Sequence, residues 1–466
     1  MINYKYKYFI ILLITISQSN AQTPELVKDI VPNGDSSLPQ FLTIFNDELY
    51  FATALTHGLW KTDGTEIGTV IAEGTGSIGN DFATGLGVFN NQLYFNTFSN
   101  RAWWSTAGGI DNAIMIKNQF NLLGGVPYTS SMLGEEVLVF SGVDYSISGN
   151  PANLYRSDLT SLGTVEFGTF VTDSSGPTPR MIGTVNSELL FSATETNQGR
   201  ELYSTDATTA STDLLVEFNS GPVGGISDVS GTNQSLLNNE YYFPAFGDNG
   251  VKLWKTDATE MGTHELDDLT APYSSPQYLN VYNDSIYFFA DGAAPPDQLF
   301  KISSFDTGPT QLTSREFFSE AGCISYSSMV LDGILYFPFA DDSMGCELWR
   351  TDGTTIGTYM LKDINTDSLH SYPNFMKTHD GWLYFTALKQ GFGFEMWKTD
   401  GTESGTSMVA DINTGNGSSI NNTQMIEYNE ELYFIANDGI HGTELFKLKF
   451  EEEIIFTDGF ESDGPI

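Results

Sequence analysis

Glu347-Leu348-Trp349-Arg350-Thr351-Asp352-Gly353-Thr354-Thr355-Ile356-Gly357-Thr358 decides the fold, because close copies of it recur along the whole chain. The nearest are Leu59–Thr69 (LWKTDGTEIGT), Leu253–Thr263 (LWKTDATEMGT) and Met396–Thr406 (MWKTDGTESGT). Worn copies begin at Trp103, Leu154, Leu202, Leu299 and Leu445, which makes nine units. Their spacing averages about 48 residues, in the range of four-stranded propeller blades.

Each unit carries four strand signals. In the eighth, Tyr372–Thr378 is a first strand, Trp382–Ala387 a second, Glu395–Lys398 a third and Thr406–Ile412 a fourth. Apolar and β-branched residues alternate between Gly, Asn and Asp turns, the period-two pattern of half-buried strands. The turn between first and second strands is the most regular feature, as in Asn46-Asp47, Asn90-Asn91, Asn283-Asp284 and Asp380-Gly381. Asn, Asp and Gly accept the positive φ of a tight hairpin, so all nine are expected to be hairpins. Ten-residue runs at 3.6 spacing, which helical repeats of this period need, are absent.

The ends supply the topology. The last unit stops after its third strand, Glu444–Phe450, whereas Glu25–Ile30 (ELVKDI) near the start matches the fourth strands Met360–Ile364 and Met408–Ile412. An N-terminal strand that completes the last blade closes a ring and leaves no open sheet edge. The expectation is an all-β propeller of about nine four-stranded blades closed in this way, with eight blades and one irregular unit as the fallback. Residues 22–450 form the propeller, and 451–466 read as an acidic, exposed C-terminal tail.

Residues 1–21 have the marks of a secretory signal peptide: Lys5 and Lys7, the apolar run Phe9–Ile16, and Ser19-Asn20-Ala21 as a small-x-small cleavage site. That run is too short for a stable membrane anchor, so no membrane insertion is expected once it is removed. The formal charge of −39, from 59 acidic against 20 basic residues, repels phosphate backbones and excludes nucleic acid as a partner. Export implies an oxidising compartment, where Cys323 and Cys346, both in one unit and the only cysteines, are placed to form a disulfide.

Residues that bear chemistry fall mostly at repeated positions. Asp63, Asp206, Asp257, Asp352 and Asp400 follow the third strand, where an Asp side chain accepts backbone N–H bonds and organises a turn. A residue repeated around a ring cannot converge on one substrate, so these are read as structural. Trp60, Trp254, Trp349 and Trp397 share one position and are expected to pack between blades. Trp103 and Trp382 lie off that position; each is either surface packing or a platform for a sugar ring. Asp363, Asn365, Asp367, Asp411 and Asn413 cluster oxygens in a way that suits calcium, although Asx turns account for the same residues. Zinc, serine-hydrolase and nucleotide motifs are missing, so no catalytic residue is assigned.

ELWRTDGTTIGT and MWKTDGTESGT resemble the ELWxxDGT repeat family, over about residues 25–450. Ile455–Glu461 (IFTDGFE) is similar to a short ending of many exported Gram-negative proteins. The resemblance implies a bacterial, exported propeller-like repeat protein, secreted, surface-bound or periplasmic. The function expected from all of this is a non-catalytic binding, adhesion or scaffold module, monomeric, with an extracellular glycan or protein as ligand and no cofactor beyond calcium. The alternative is a propeller hydrolase or lyase acting on glycan.

Overall fold

The computed structural model describes residues 17–54, 56, 58–74, 78, 81–132, 135–147, 152–169, 179–194, 199–208, 212–218, 225–226, 234–247, 250–266, 274–291, 298–303, 308–314, 323, 327–341, 343–366, 368–420 and 424–453. These residues form nine four-stranded antiparallel sheets, arranged as a β-propeller. The nine-blade expectation holds, and the eight-blade fallback falls. In blade 8 the strands are Asn374–His379, Trp382–Lys389, Gly393–Thr399 and Ser407–Met408, here called A to D. Strand D is the element that departs most from its expected span. Only Ser407 and Met408 pair with strand C, because Val409 then leaves the sheet after donating to the Met396 carbonyl.

Strand A lies at one edge of every sheet, and the A strand of blade 1 touches those of blades 2 and 9, so the A strands form the inner wall of the ring. The A–B turns are hairpins as expected. Asn46 and Asp47 (φ 50° and 56°), Asn238 and Asn239 (51° and 63°) and Asp380 and Gly381 (47° and 73°) all have positive φ at both central residues. This geometry matches the twist of the flanking strands. In blade 3, Gly134 lies outside the described residues, and the flanking strands pair from Met132 with Glu135.

Closure occurs as the two chain ends suggest, with a shifted boundary. The D strand of blade 9 is Ser17–Leu26, antiparallel to Thr443–Glu453, with Gln22 opposite Phe450 and Leu26 opposite Phe446. The Val27 N–H donates to the Leu445 carbonyl at 3.0 Å. Beyond Val27 the chain leaves the sheet, because the Lys28 ammonium reaches across to the Glu66 and Thr69 carbonyls of blade 1. Lys362 does the same between blades 7 and 8, donating to the Glu403 and Thr406 carbonyls. The strand therefore begins inside the expected leader, and its pairs from Gln22 onward fall in the expected mature chain. At the other end, strand C of blade 9 continues to Glu453, through the acidic start assigned to the tail.

The apolar interior is not one core. Among the described residues nine clusters are each filled from two neighbouring blades, the one joining blade 9 to blade 1 (Val27, Leu42, Phe51, Tyr433, Leu445) completing the circle, and a small tenth surrounds Cys323 and Cys346. Trp349 packs between blades 6 and 7, Trp397 between 7 and 8, Trp60 between 9 and 1, and Trp254 between 4 and 5. Cys323 and Cys346 form a disulfide that ties the segment before strand A of blade 7 to its strand C. No helix among the described residues is long and apolar enough to cross a membrane.

Val27→Pro removes the donor that finishes ring closure and leaves the Leu445 carbonyl without its strand partner. The expected loss is about 1–3 kcal/mol of unfolding free energy. An unchanged denaturant midpoint would show that the ring is not held by this strand.

Candidate functional site

The repeated aspartates hold turns, and the geometry repeats from blade to blade. Asp63 Oδ1 accepts the Thr65 N–H at 2.9 Å and its hydroxyl at 2.7 Å. Asp206, Asp257, Asp352 and Asp400 do the same with Thr208, Thr259, Thr354 and Thr402. The flanking threonines close the turn. Thr351 Oγ1 and Thr358 Oγ1 share a bond at 2.6 Å, and Thr351 Oγ1 accepts the Gly353 N–H at 2.9 Å. The bonds from the turn threonine hold Asp63, Asp257 and Asp352 below the usual carboxylate range.

Gly in T-D-G-T has two causes. Its φ is positive (Gly64 92°, Gly353 88°, Gly401 89°), a region that costs other residues. A Cβ there would also run into the tyrosine hydroxyl of the preceding blade: Tyr433 for Gly64, Tyr287 for Gly353 and Tyr336 for Gly401. Where the turn has Ala instead, at Ala207 and Ala258, the preceding blade has Leu138 and Leu190 at the tyrosine position. Ala258 packs against the cluster that contains Leu190. At these two positions the turn residue and its neighbour's side chain change together, whereas blade 3 has Leu159 (φ 67°) in one cluster with Tyr94 of blade 2.

A second repeated acid escaped the sequence reading. Glu201, Glu347, Glu395 and Glu444, the first letter of ELW, are fully buried on strand C. Each accepts bonds from the segment leading into the next blade. Glu347 takes the Ile364 N–H at 2.9 Å and the Ser371 hydroxyl at 2.6 Å, Glu444 the Ser37 N–H at 2.9 Å, and Glu201 the Phe218 N–H at 2.7 Å. Burial pushes Glu347, Glu395 and Glu444 up to about 7 and Glu201 to about 6, outweighing these bonds. Neighbouring Asp363, Asp411 and Asp29 add to the rise at the first three. The signal was legible as an acid flanked by core residues, but only the fold shows what it binds.

The calcium candidates serve mainly as turn-makers. Asn365 donates to the His370 carbonyl and accepts the Gln390 N–H, and Asn413 donates to the Ser418 carbonyl. Asp411 Oδ2 accepts the Gly415 N–H, while Asp29 and Asp411 each bury one further oxygen that has no hydrogen bond. Asp367 lies outside the described residues. Among the described residues, no three His, Cys, Asp or Glu side chains group as metal ligands. Trp103 is fully buried between blades 2 and 3, which corrects both its readings, as surface packing and as a sugar platform. Trp382 stays half-buried at a groove.

The unrepeated feature lies on the inner wall. Two residues from the end of strand A, before the hairpin turn, Ile44, Val88, Leu236, Val281 and Val330 are 39–44% exposed, an unusual state for aliphatic side chains in strands. Thr184 and Thr378 are half-buried at the same repeat position, and Glu427 is exposed there. The Glu427 carboxylate lies 3.2 Å from His379 Nδ1 of the preceding blade's A strand. The ring therefore carries a collar of apolar side chains with a carboxylate in it. Sequence reading took these residues as strand alternation, and the collar emerges only when the nine A strands are brought side by side.

No family model and no curated protein matches the chain. Solved structures that it resembles include prolyl oligopeptidase B from Galerina marginata bound to a 25mer macrocyclization substrate (12% identity, 76% of this chain, 55% of that chain, TM-score 0.39). A puromycin-hydrolyzing peptidase from Mycobacterium tuberculosis (10%, 76%, 58%, 0.39) and a puromycin hydrolase (11%, 78%, 59%, 0.36) are also similar. The chain spans little more than half the length of each, and at these identities the likeness extends to the fold. These neighbours are peptidases and hydrolases, which is a property of those proteins.

Two outcomes follow from these groups. The folded-state pKa of Glu201, Glu347, Glu395 and Glu444 is raised, so their contribution to stability is full below about pH 4.5 and declines as pH rises towards about 7. Asp63, Asp257 and Asp352 act oppositely, since their lowered pKa gives stability that is lost as pH falls through the acid range. The melting temperature should peak near about pH 4–5 and fall towards neutrality, and Glu395→Gln should flatten that fall. A curve that rises to pH 7 would refute the assignment. Gly401→Ala should cost about 1–3 kcal/mol, and Tyr336→Leu should relieve part of that loss in the double variant. Strict additivity in a denaturation cycle would sink the coupling.

Proposed function

We propose that this chain is an exported member of the ELWxxDGT repeat family that engages polypeptide segments at its central opening and acts in their turnover. The observation that carries the reading is the collar of Ile44, Val88, Leu236, Val281 and Val330, set with Glu427 in a molecule of formal charge −39. An acidic surface draws cationic chains towards it, and an apolar ring interrupted by a carboxylate suits segments in which Lys or Arg alternate with aliphatic residues. Export outside the cytoplasm of a Gram-negative bacterium is supported by the Cys323–Cys346 disulfide and by the apolar run of the leader.

The test is to produce the mature chain in an oxidising compartment and titrate it with a Lys/Leu-rich peptide and its Glu/Leu-rich counterpart at low and moderate salt, following cleavage by mass spectrometry. Binding of the cationic peptide alone is expected, weakened by salt and by the double variant Val281→Asp, Val330→Asp. Equal binding of both peptides, or indifference to the collar substitutions, would refute the reading.

A further inference from the structure

The seam between blades 8 and 9 breaks the repeat in two ways at one place. In blades 1, 7 and 8 the Asp turn lies over the tyrosine hydroxyl of the blade before it. Blade 9 has no such turn, because its strand C runs on to Glu453 and pairs with the N-terminal strand. What meets the Tyr384 hydroxyl of blade 8 is instead the Gln22 side chain, whose Nε2 donates to it at 2.6 Å. The second break is Trp382. At this position blades 1, 5 and 9 have Glu48, Glu240 and Glu431, which bind Lys61, Lys255 and Lys447 of strand C at 2.8–3.0 Å. In blade 8 the corresponding Lys398 lies 4.4 Å above the Trp382 ring. Both breaks border a groove of about 550 Å3, lined by Gln22, Trp382, Lys398, Asp400, Ser404 and Ser407 among others.

We infer that this seam groove is a binding site for a neutral sugar, a single pyranose or the end of a glycan chain. The partly buried Trp382 indole offers at its exposed part an apolar surface on which the C–H face of a pyranose stacks. Around it stand an amide, two serine hydroxyls, an ammonium and a carboxylate, a mixture of donors and acceptors that matches the hydroxyls of a sugar. Lys398 and Asp400 together carry no net charge, and the acidic molecule around them disfavours an anionic ligand. The volume falls within the range of small-ligand pockets. This site is separate from the central collar and does not depend on it. Sequence reading gave Trp382 as a sugar platform or surface packing, and the seam is what favours the first.

The experiment titrates the mature chain with neutral gluco-, manno-, galacto- and xylo-oligosaccharides and with a uronic acid oligomer, by calorimetry and tryptophan fluorescence. Saturable binding of at least one neutral oligosaccharide is expected, weakened about tenfold or more by Trp382→Glu. That substitution restores the Glu–Lys pair of the other blades, so the melting temperature should hold. Trp382→Ile, the residue that blade 7 carries as Ile334, serves as a second variant and should weaken binding likewise. Binding should survive Val281→Asp with Val330→Asp, which separates this site from the collar. The inference is overturned if no neutral sugar binds, if the uronic acid oligomer binds in preference, or if both Trp382 variants bind as the parent does.

Discussion

Nine blades around an axis leave a joint wherever the chain begins and ends, and that joint is the constraint on which the molecule depends. The apolar interior is divided into clusters shared between neighbours, so a blade detached from either side exposes half of two clusters. The pairing of Leu26 with Phe446, continued by the Val27 bond to Leu445, stitches the joint from within one sheet. Completing blade 9 with the start of the chain also satisfies a strand edge that would otherwise template association.

Between blades, the same economy is visible at atomic scale. The Asp turn reaches back over the preceding blade, and its glycine fits because a tyrosine hydroxyl occupies the place of a Cβ. Lys28 and Lys362 reach forward, donating to the carbonyls that end the neighbouring turn. The junctions of blade 9 with blade 1 and of blade 7 with blade 8 are therefore clasped from both sides. Symmetry of this kind stabilises a ring but disperses its acids around the perimeter, and chemistry needs groups that converge. The features that suit ligands are those where the repeat fails: the uneven residues of the inner collar, and the seam where a turn is missing.

The acids fall into two populations with opposite behaviour. Asp63 and Asp352 are exposed and ionise readily, because fixed N–H and hydroxyl donors favour the charged form. Strand glutamates are buried against the connections between blades, and desolvation favours their neutral form. Both are structural, and a high acid count is therefore no guide by itself to catalytic capacity.

By itself the sequence determined the strands, the hairpins, the number of blades and the joint. These are local or periodic properties: Asn and Asp at positive φ, a period-two apolar pattern, and a fourth-strand word found at the wrong end. Asp63, Asp352 and their kin were legible as turn-makers for the same reason, since their partners lie two residues away. Only the tertiary structure decided where Trp103 and Trp382 go, one into a core and the other to a groove. It alone showed that Glu347 binds the connection to the next blade and that Val281 and Val330 stay exposed on the inner A strands. Those partners are separated along the chain and are chosen by how blades pack around an axis, which a repeat period does not encode.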